Sequence, residues 1–243
     1  MQIADAPSPN HDERRYKVDV LVLHYTGMES GQAALDRMRD AEAKVSAHYM
    51  IWEDGRVVRL VDESRRAWHA GLSSWQGDDD LNSRSIGIEI VNGGHDFPLP
   101  GRRLPPYPEP QIAAVIELCQ AIVTRHAIPQ ARVTGHSDIA PRRKIDPGEH
   151  FPWPRLAEAG VGLWPDEAAG AGCVWMGGDP GGLNRQLGGI GYDITDVPAA
   201  LRAFQRRFLP DAVTGMADAR TLRRLAHVAE AYAAASAPSS PQA

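Results

Sequence analysis

Two segments about a hundred residues apart carry the side chains best suited to chemistry. The first is Val20-Leu21-Val22-Leu23-His24. The second is Gly135-His136-Ser137-Asp138-Ile139-Ala140-Pro141-Arg142-Arg143-Lys144-Ile145-Asp146-Pro147-Gly148. Together they offer two histidines and a carboxylate, each beside a strand end or a tight turn. Such a set suits a zinc ion held by three protein ligands with a fourth position left for water, and zinc makes water a nucleophile near neutral pH. Lys144 stands two residues before Asp146 and can reach the same centre. Asp138 is a rival carboxylate; its place two residues after His136 suits it better to bracing the loop or a ligand histidine. Glu89 lies within the apolar stretch Ser85-Ile86-Gly87-Ile88-Glu89-Ile90-Val91. A carboxylate there is costly unless it is paired, functional or on a half-exposed sheet face.

No one of these residues decides the matter. The chain has nine histidines, and a histidine that ends a buried strand is often a hydrogen-bonded core residue. Asp146 before Pro-Gly can start a turn, and Lys144 can be a solvated charge beside Arg142 and Arg143. His69 sits in Arg66-Ala67-Trp68-His69-Ala70-Gly71, where it can line a groove or pack.

The elements that must position these groups follow from periodicity. Lys17 to His24 is a β-branched and leucine run and predicts a buried central strand. His24 then falls near its carboxyl end, where open α/β sheets place ligands. Residues 32–44 read as a helix. Asp54-Gly55 between 48–52 and 56–61 predicts a hairpin. Within 85–91 the alternation puts Ile86, Ile88 and Ile90 on one face and Glu89 on the other. Ile112, Val115, Ile116, Cys119, Ile122 and Val123 recur at helical spacing, so 110–125 is an amphipathic helix. Ala131 to Thr134 is a short strand leading into His136.

The domain plan that follows has a mobile arm over 1–15, a catalytic domain over 16–156, a Gly/Ala-rich linker over 157–191, a small helical domain over 192–232 and a disordered tail over 233–243. Val197, Leu201, Phe204 and Phe208 make the apolar stripe of that helical domain, and Asp218 can cap its last helix. The fold class expected is α/β, a mixed central sheet flanked by helices, with a small C-terminal three-helix domain.

At 243 residues, 43% hydrophobic and 23% charged, the chain can bury a real core. A net charge of -5 gives no reason to expect a nucleic-acid partner. No apolar run reaches the roughly 20 residues of a membrane span. The N-terminus lacks the basic start and apolar stretch of a secretory signal, which points to the cytoplasm, with the periplasm as the alternative if a leader has been removed. Cys119 reads as an inert core thiol; a bridge from it to Cys173 is an open alternative.

Taken together, the segments resemble the type 2 family of zinc-dependent N-acetylmuramoyl-L-alanine amidases, whose fold is shared with peptidoglycan recognition proteins and phage amidase-lysozymes. The matching pieces are Leu23-His24-Tyr25-Thr26, Ser46-Ala47-His48-Tyr49, Arg66 through Gly71, Asn82 through Glu89, and His136 through Gly148. They come in family order and cover roughly residues 15–155. The resemblance implies that His24, His136 and Asp146 bind zinc, that Glu89 is the acid/base residue and that Lys144 stabilises the oxyanion. It also implies that Trp68 and His69 line the substrate groove, with Ala140 near the stem peptide. The substrates implied are muropeptides, including anhydro-muropeptides, cut between N-acetylmuramic acid and L-alanine in wall recycling or remodelling. Residues 196–228 resemble a small three-helix peptidoglycan-binding module, through Leu201 to Phe208 and Thr214 to Leu222. Two alternatives are a non-catalytic sensor of peptidoglycan fragments on the same fold and an interaction protein with a structural zinc. The complete zinc set opposes the first. No cysteine neighbours either metal segment to close the fourth position, which opposes the second.

Overall fold

The computed structural model describes residues 1–166 and 180–236. The chain opens with β1 (Ile3–Asp5) and β2 (His11–Glu13), followed by β3 (Val20–Tyr25), α1 (Gly31–Arg39), β4 (Tyr49–Ile51), β5 (Val57–Arg59) and β6 (Arg65–Ala67). Then come α2 (Leu81–Arg84), β7 (Ser85–Ile90), α3 (Glu109–His126), β8 (Val133–Gly135), α4 (His136–Ile139) and α5 (Trp153–Glu158). Helices α6 (Pro180–Ile190), α7 (Val197–Phe208) and α8 (Ala219–Ser236) complete it.

A mixed sheet runs in the order β1-β5-β4-β7-β3-β8. Strand β3 is buried at every residue, as its unbroken apolar run requires, and lies parallel to both β7 and β8. Strand β4 also runs parallel to β7, so four strands deliver their carboxyl ends to one edge. The expected hairpin joins β4 and β5 antiparallel, with Gly55 at φ 86° in its turn.

The two sheet faces carry different cores. Leu21, Leu23, Ile86, Ile88 and Ile90 pack against Ile112, Val115, Leu118, Cys119 and Ile122 of α3. Val20 and Val22 face the opposite way, into a cluster with Leu187, Ile190, Phe204, Phe208, Leu225, Val228 and Tyr232. Helices α6 to α8 therefore cover one face of the catalytic sheet. Phe204 and Phe208 are fully buried, each worth about 1.5–3 kcal/mol relative to exposure. The small helical domain is docked, because its apolar stripe and that face of the sheet are each other's cover.

Three expectations need correction. Residues 1–15 are not a free arm: β1 pairs with β5 and β2 with β6. Ser8 and Asn10 are buried, and Arg14 donates to the carbonyls of Glu63, Ser83, Ser85 and Arg65. Polar side chains anchor this segment, so hydrophobic periodicity does not reveal it. The expected linker 157–191 contains α6 from residue 180, and the expected tail is helical from 233 to Ser236. Cys173 lies outside the described residues, so a bridge to it does too. Cys119 is free and buried, and burial pushes its thiol well above the usual range. Among the described residues, no helix is long and apolar enough to cross a membrane.

Candidate metal centre

His24 and Glu89 are register partners on neighbouring parallel strands, so their side chains leave the sheet on one face at its carboxyl edge. Strand β8 ends at Gly135, and His136 opens α4 directly beyond it. The chain returns through Ser137, whose N–H donates to the Asp146 carbonyl at 2.8 Å. These connections gather His24, His136 and Asp146, all nearly inaccessible to solvent.

The three donor atoms converge. His24 Nδ1 and His136 Nδ1 are 2.9 Å apart, and each is 3.1 Å from Asp146 Oδ2. Hydrogen bonds on the far side of each ring set the tautomers. His136 Nε2 donates to the Ala70 carbonyl at 3.2 Å. His24 Nε2 donates to His69 Nδ1 at 3.0 Å, His69 Nε2 donates to Ser85 Oγ at 3.2 Å, and Ser85 donates to the Leu81 carbonyl. Both Nδ1 atoms are thereby left with lone pairs facing a carboxylate oxygen, an arrangement that a bound cation relieves. Burial, and then His136, pull the His24 pKa down to about 4, so at neutral pH that cation is not a proton on His24. Burial works against the Asp146 charge, yet the two histidines hold its carboxyl below the usual range. A tetrahedral ion with bonds of about 2.0 Å sets its ligands about 3.3 Å apart, close to the separations seen here. The donor set fits a metal ion.

Glu89, Lys144, His69 and Tyr25 line the same cavity of about 570 Å³ with His136 and Asp146. Burial pushes the Glu89 carboxyl well above the usual range; Asp146 adds to that and Lys144 opposes it. Its Oε2 is buried with no hydrogen-bond partner. His69 lies against the sheet behind His24, where Gly87 makes room for it: a Cβ on Gly87 would come within 2.4 Å of the ring. It bonds His24 Nε2 and also lines the cavity, as expected for the groove. Trp68 and Ala140, expected at the groove, are not among the cavity-lining residues. Trp68 is held by a backbone bond to Ser46 Oγ, and Ala140 is buried toward the C-terminal helices.

His48 was not singled out from the sequence. It accepts from Gly87 N at Nδ1 and donates to the Arg65 carbonyl from Nε2, below the His69 ring. Burial, and then Arg14, lower its pKa to about 3. The folded state keeps it neutral, whereas the unfolded chain protonates it below about pH 6.5. Its contribution is therefore complete above pH 6.5 and is lost as pH falls toward 3, at up to about 1.4 kcal/mol per pH unit. Urea unfolding at pH 7.5 and pH 5 is expected to show a marked loss of stability. His48→Asn, which keeps an acceptor for Gly87, should show a smaller loss over that range; an equal loss would contradict the assignment.

The N-acetylmuramoyl-L-alanine amidase family matches residues 14–149 of the chain. The N-acetylmuramoyl-L-alanine amidase AmiD of Escherichia coli K12 is 36% identical over 225 residues, which span 84% of this chain and 80% of that one. The solved structure of AmiD from Escherichia coli with the substrate anhydro-N-acetylmuramic acid-L-Ala-D-γ-Glu-L-Lys superposes with a TM-score of 0.77 and 33% identity, over 93% of this chain and 99% of that one. AmpDh3 from Pseudomonas aeruginosa, solved with an anhydromuramic pentapeptide, gives a TM-score of 0.78 and 34% identity, over 90% and 94%. The expected mixed α/β architecture is the one these structures share. The chain belongs to the N-acetylmuramoyl-L-alanine amidase family.

Proposed function

We propose that this chain cleaves the amide between the lactyl group of anhydro-N-acetylmuramic acid and the L-alanine of the stem peptide, using zinc held by His24, His136 and Asp146. The observation that carries the metal assignment is the convergence of two imidazole Nδ1 atoms, whose ring hydrogens are committed elsewhere, on one carboxylate oxygen. The anhydro-muropeptides named with the two solved relatives support that substrate class. When bound, zinc supplies Lewis acidity toward the scissile carbonyl and the attacking water.

The chain's own groups do the rest. Glu89 lines the cavity with a carboxyl whose proton affinity is raised, so it can take a proton from water and return it to the leaving amine. The Lys144 ammonium faces the same space and meets the negative charge that develops on the carbonyl oxygen. The Ala70 carbonyl and the His69–Ser85 chain hold the two imidazoles in the orientation that leaves Nδ1 free.

The test is mass spectrometry of products from zinc-loaded protein with an anhydro-muropeptide and, separately, intact sacculi, each with and without chelator. Chelator-sensitive release of a peptide beginning at L-alanine, faster from the anhydro-muropeptide, is the expected result. Faster release from sacculi would replace the substrate preference with wall remodelling, and no release from either would overturn the proposal.

A further inference from the structure

Helix α7 reaches both turns that carry the metal ligands. Arg207 is 2% exposed although charged, and its guanidinium is 2.7 Å from Asp138 Oδ2. The same guanidinium donates twice to the Val133 carbonyl, at 3.1 Å each, and lies 4.1 Å above the Trp153 ring. Tyr192, just before α7, donates to Asp138 Oδ1 at 2.8 Å. Asp138 Oδ2 also accepts from Gly135 N at 2.8 Å, the residue immediately before His136. The neighbouring Arg206 places its Nε 3.4 Å from Oε2 of Glu149, an ion pair without a hydrogen bond, three residues beyond Asp146. Glu149 in turn meets His95 at 3.2 Å, and His95 meets Tyr25, the residue after His24, at 3.1 Å.

We infer that the C-terminal helices are a positioning part of the metal centre: Arg207 and Tyr192 fix Asp138, and through it the His136 turn, while Arg206 steadies the Asp146 turn through Glu149. The inference rests on the zinc reading above. A merely adhesive module needs apolar contact alone, and Phe204, Phe208 and Leu187 already supply that. A buried ion pair adds little to stability over an apolar pair of the same shape, which leaves geometry as the role inferred for this one. Here both carboxylate oxygens of Asp138 are committed, with one bond to the backbone that presents a ligand. Groups bonded directly behind metal ligands typically alter metal affinity about 10–100-fold; Asp138 acts one bond further out, on the Gly135 N–H, so the low end of that range is expected here. Arg207, Tyr192 and Asp138 are thus positioning residues, none of them lining the cavity.

The test compares zinc dissociation constants, by competition with a chromophoric chelator, and steady-state constants on an anhydro-muropeptide. The variants are the wild type, Tyr192→Phe and the double variant Arg207→Met with Asp138→Asn, which removes both charges together. The double variant, below its melting temperature, is expected to bind zinc about 10-fold more weakly and to lose kcat at fixed zinc, with KM nearly unchanged. Tyr192→Phe keeps the ring packing and should weaken zinc about fivefold, the cost of one hydrogen bond. Folded variants with wild-type zinc affinity and kcat, and only a lower melting temperature, would overturn the inference. If the double variant does not fold, Tyr192→Phe decides alone by the same criterion. A wild type that binds no zinc would overturn the metal reading and this inference together, and would be seen before any substitution is compared.

Discussion

Glu89→Gln is expected to lower kcat about 100- to 10,000-fold, the usual range for a lost acid/base group, while zinc content and KM stay near wild type. Glutamine preserves size and hydrogen-bonding reach but cannot carry a proton between water and amine. Glu89 shares the His24 face of the sheet and lines the cavity without belonging to the three-atom cluster. Its removal therefore leaves the donors intact. The position also costs stability: Oε2 is buried without a partner, and burial with Asp146 disfavours the charge. The variant should accordingly melt higher than wild type, by the equivalent of about 1 kcal/mol. Single-turnover kinetics, metal analysis and thermal melts on one preparation check all three parts. A variant that retains more than a tenth of the wild-type rate would remove Glu89 from the proton path.

The parts legible in the sequence were those fixed locally. The β-branched and leucine run of β3 favours a buried strand, and the Ile86, Ile88, Ile90 alternation places Glu89 on the opposite face without any tertiary information. Asp54-Gly55 fixed the hairpin for the same reason. The ordered motifs from His24 to Gly148 carried the resemblance that the family match now supports. What escaped depends on contacts between distant residues. The segment 1–15 is tied down by Ser8, Asn10 and Arg14 through hydrogen bonds, and a polar residue looks the same in sequence whether it is solvated or clamped. The stripe Val197, Leu201, Phe204, Phe208 revealed that a face is buried, but not what buries it. A helical stripe is equally satisfied by its own small domain or by a sheet. Arg207 gave one faint signal, falling three residues after Phe204 and beside Phe208, at the edge of the apolar face. Trp68 and Ala140 were assigned to the groove by motif position alone, and position in a motif does not say which way a side chain turns.

Asp146→Ala is expected to do what Glu89→Gln does not, abolishing activity by losing the metal. Asp146 Oδ2 is the one anionic member of the cluster, at 3.1 Å from each imidazole nitrogen. Without it the site offers two neutral nitrogens, too few for a closed set of three and without charge to match a divalent ion. If a binding free energy of about 10–16 kcal/mol is shared among its three ligands, one ligand is worth about 3–5 kcal/mol, or roughly 150- to 5,000-fold in affinity. Activity should fall to background at stoichiometric zinc and recover only in part at large excess, because Glu89 and Lys144 are still in place on the cavity wall. Chelator-competition titration gives the affinity, and product release across a zinc series gives the activity. The two variants then separate the centre's functions. Glu89→Gln should hold zinc and be slow at every zinc concentration; Asp146→Ala should be slow because it is empty. Wild-type zinc affinity in Asp146→Ala would show that the carboxylate is not a ligand. The remaining acid of that loop, Asp138, could not take its place, because both its oxygens are already bonded to Gly135, Arg207 and Tyr192.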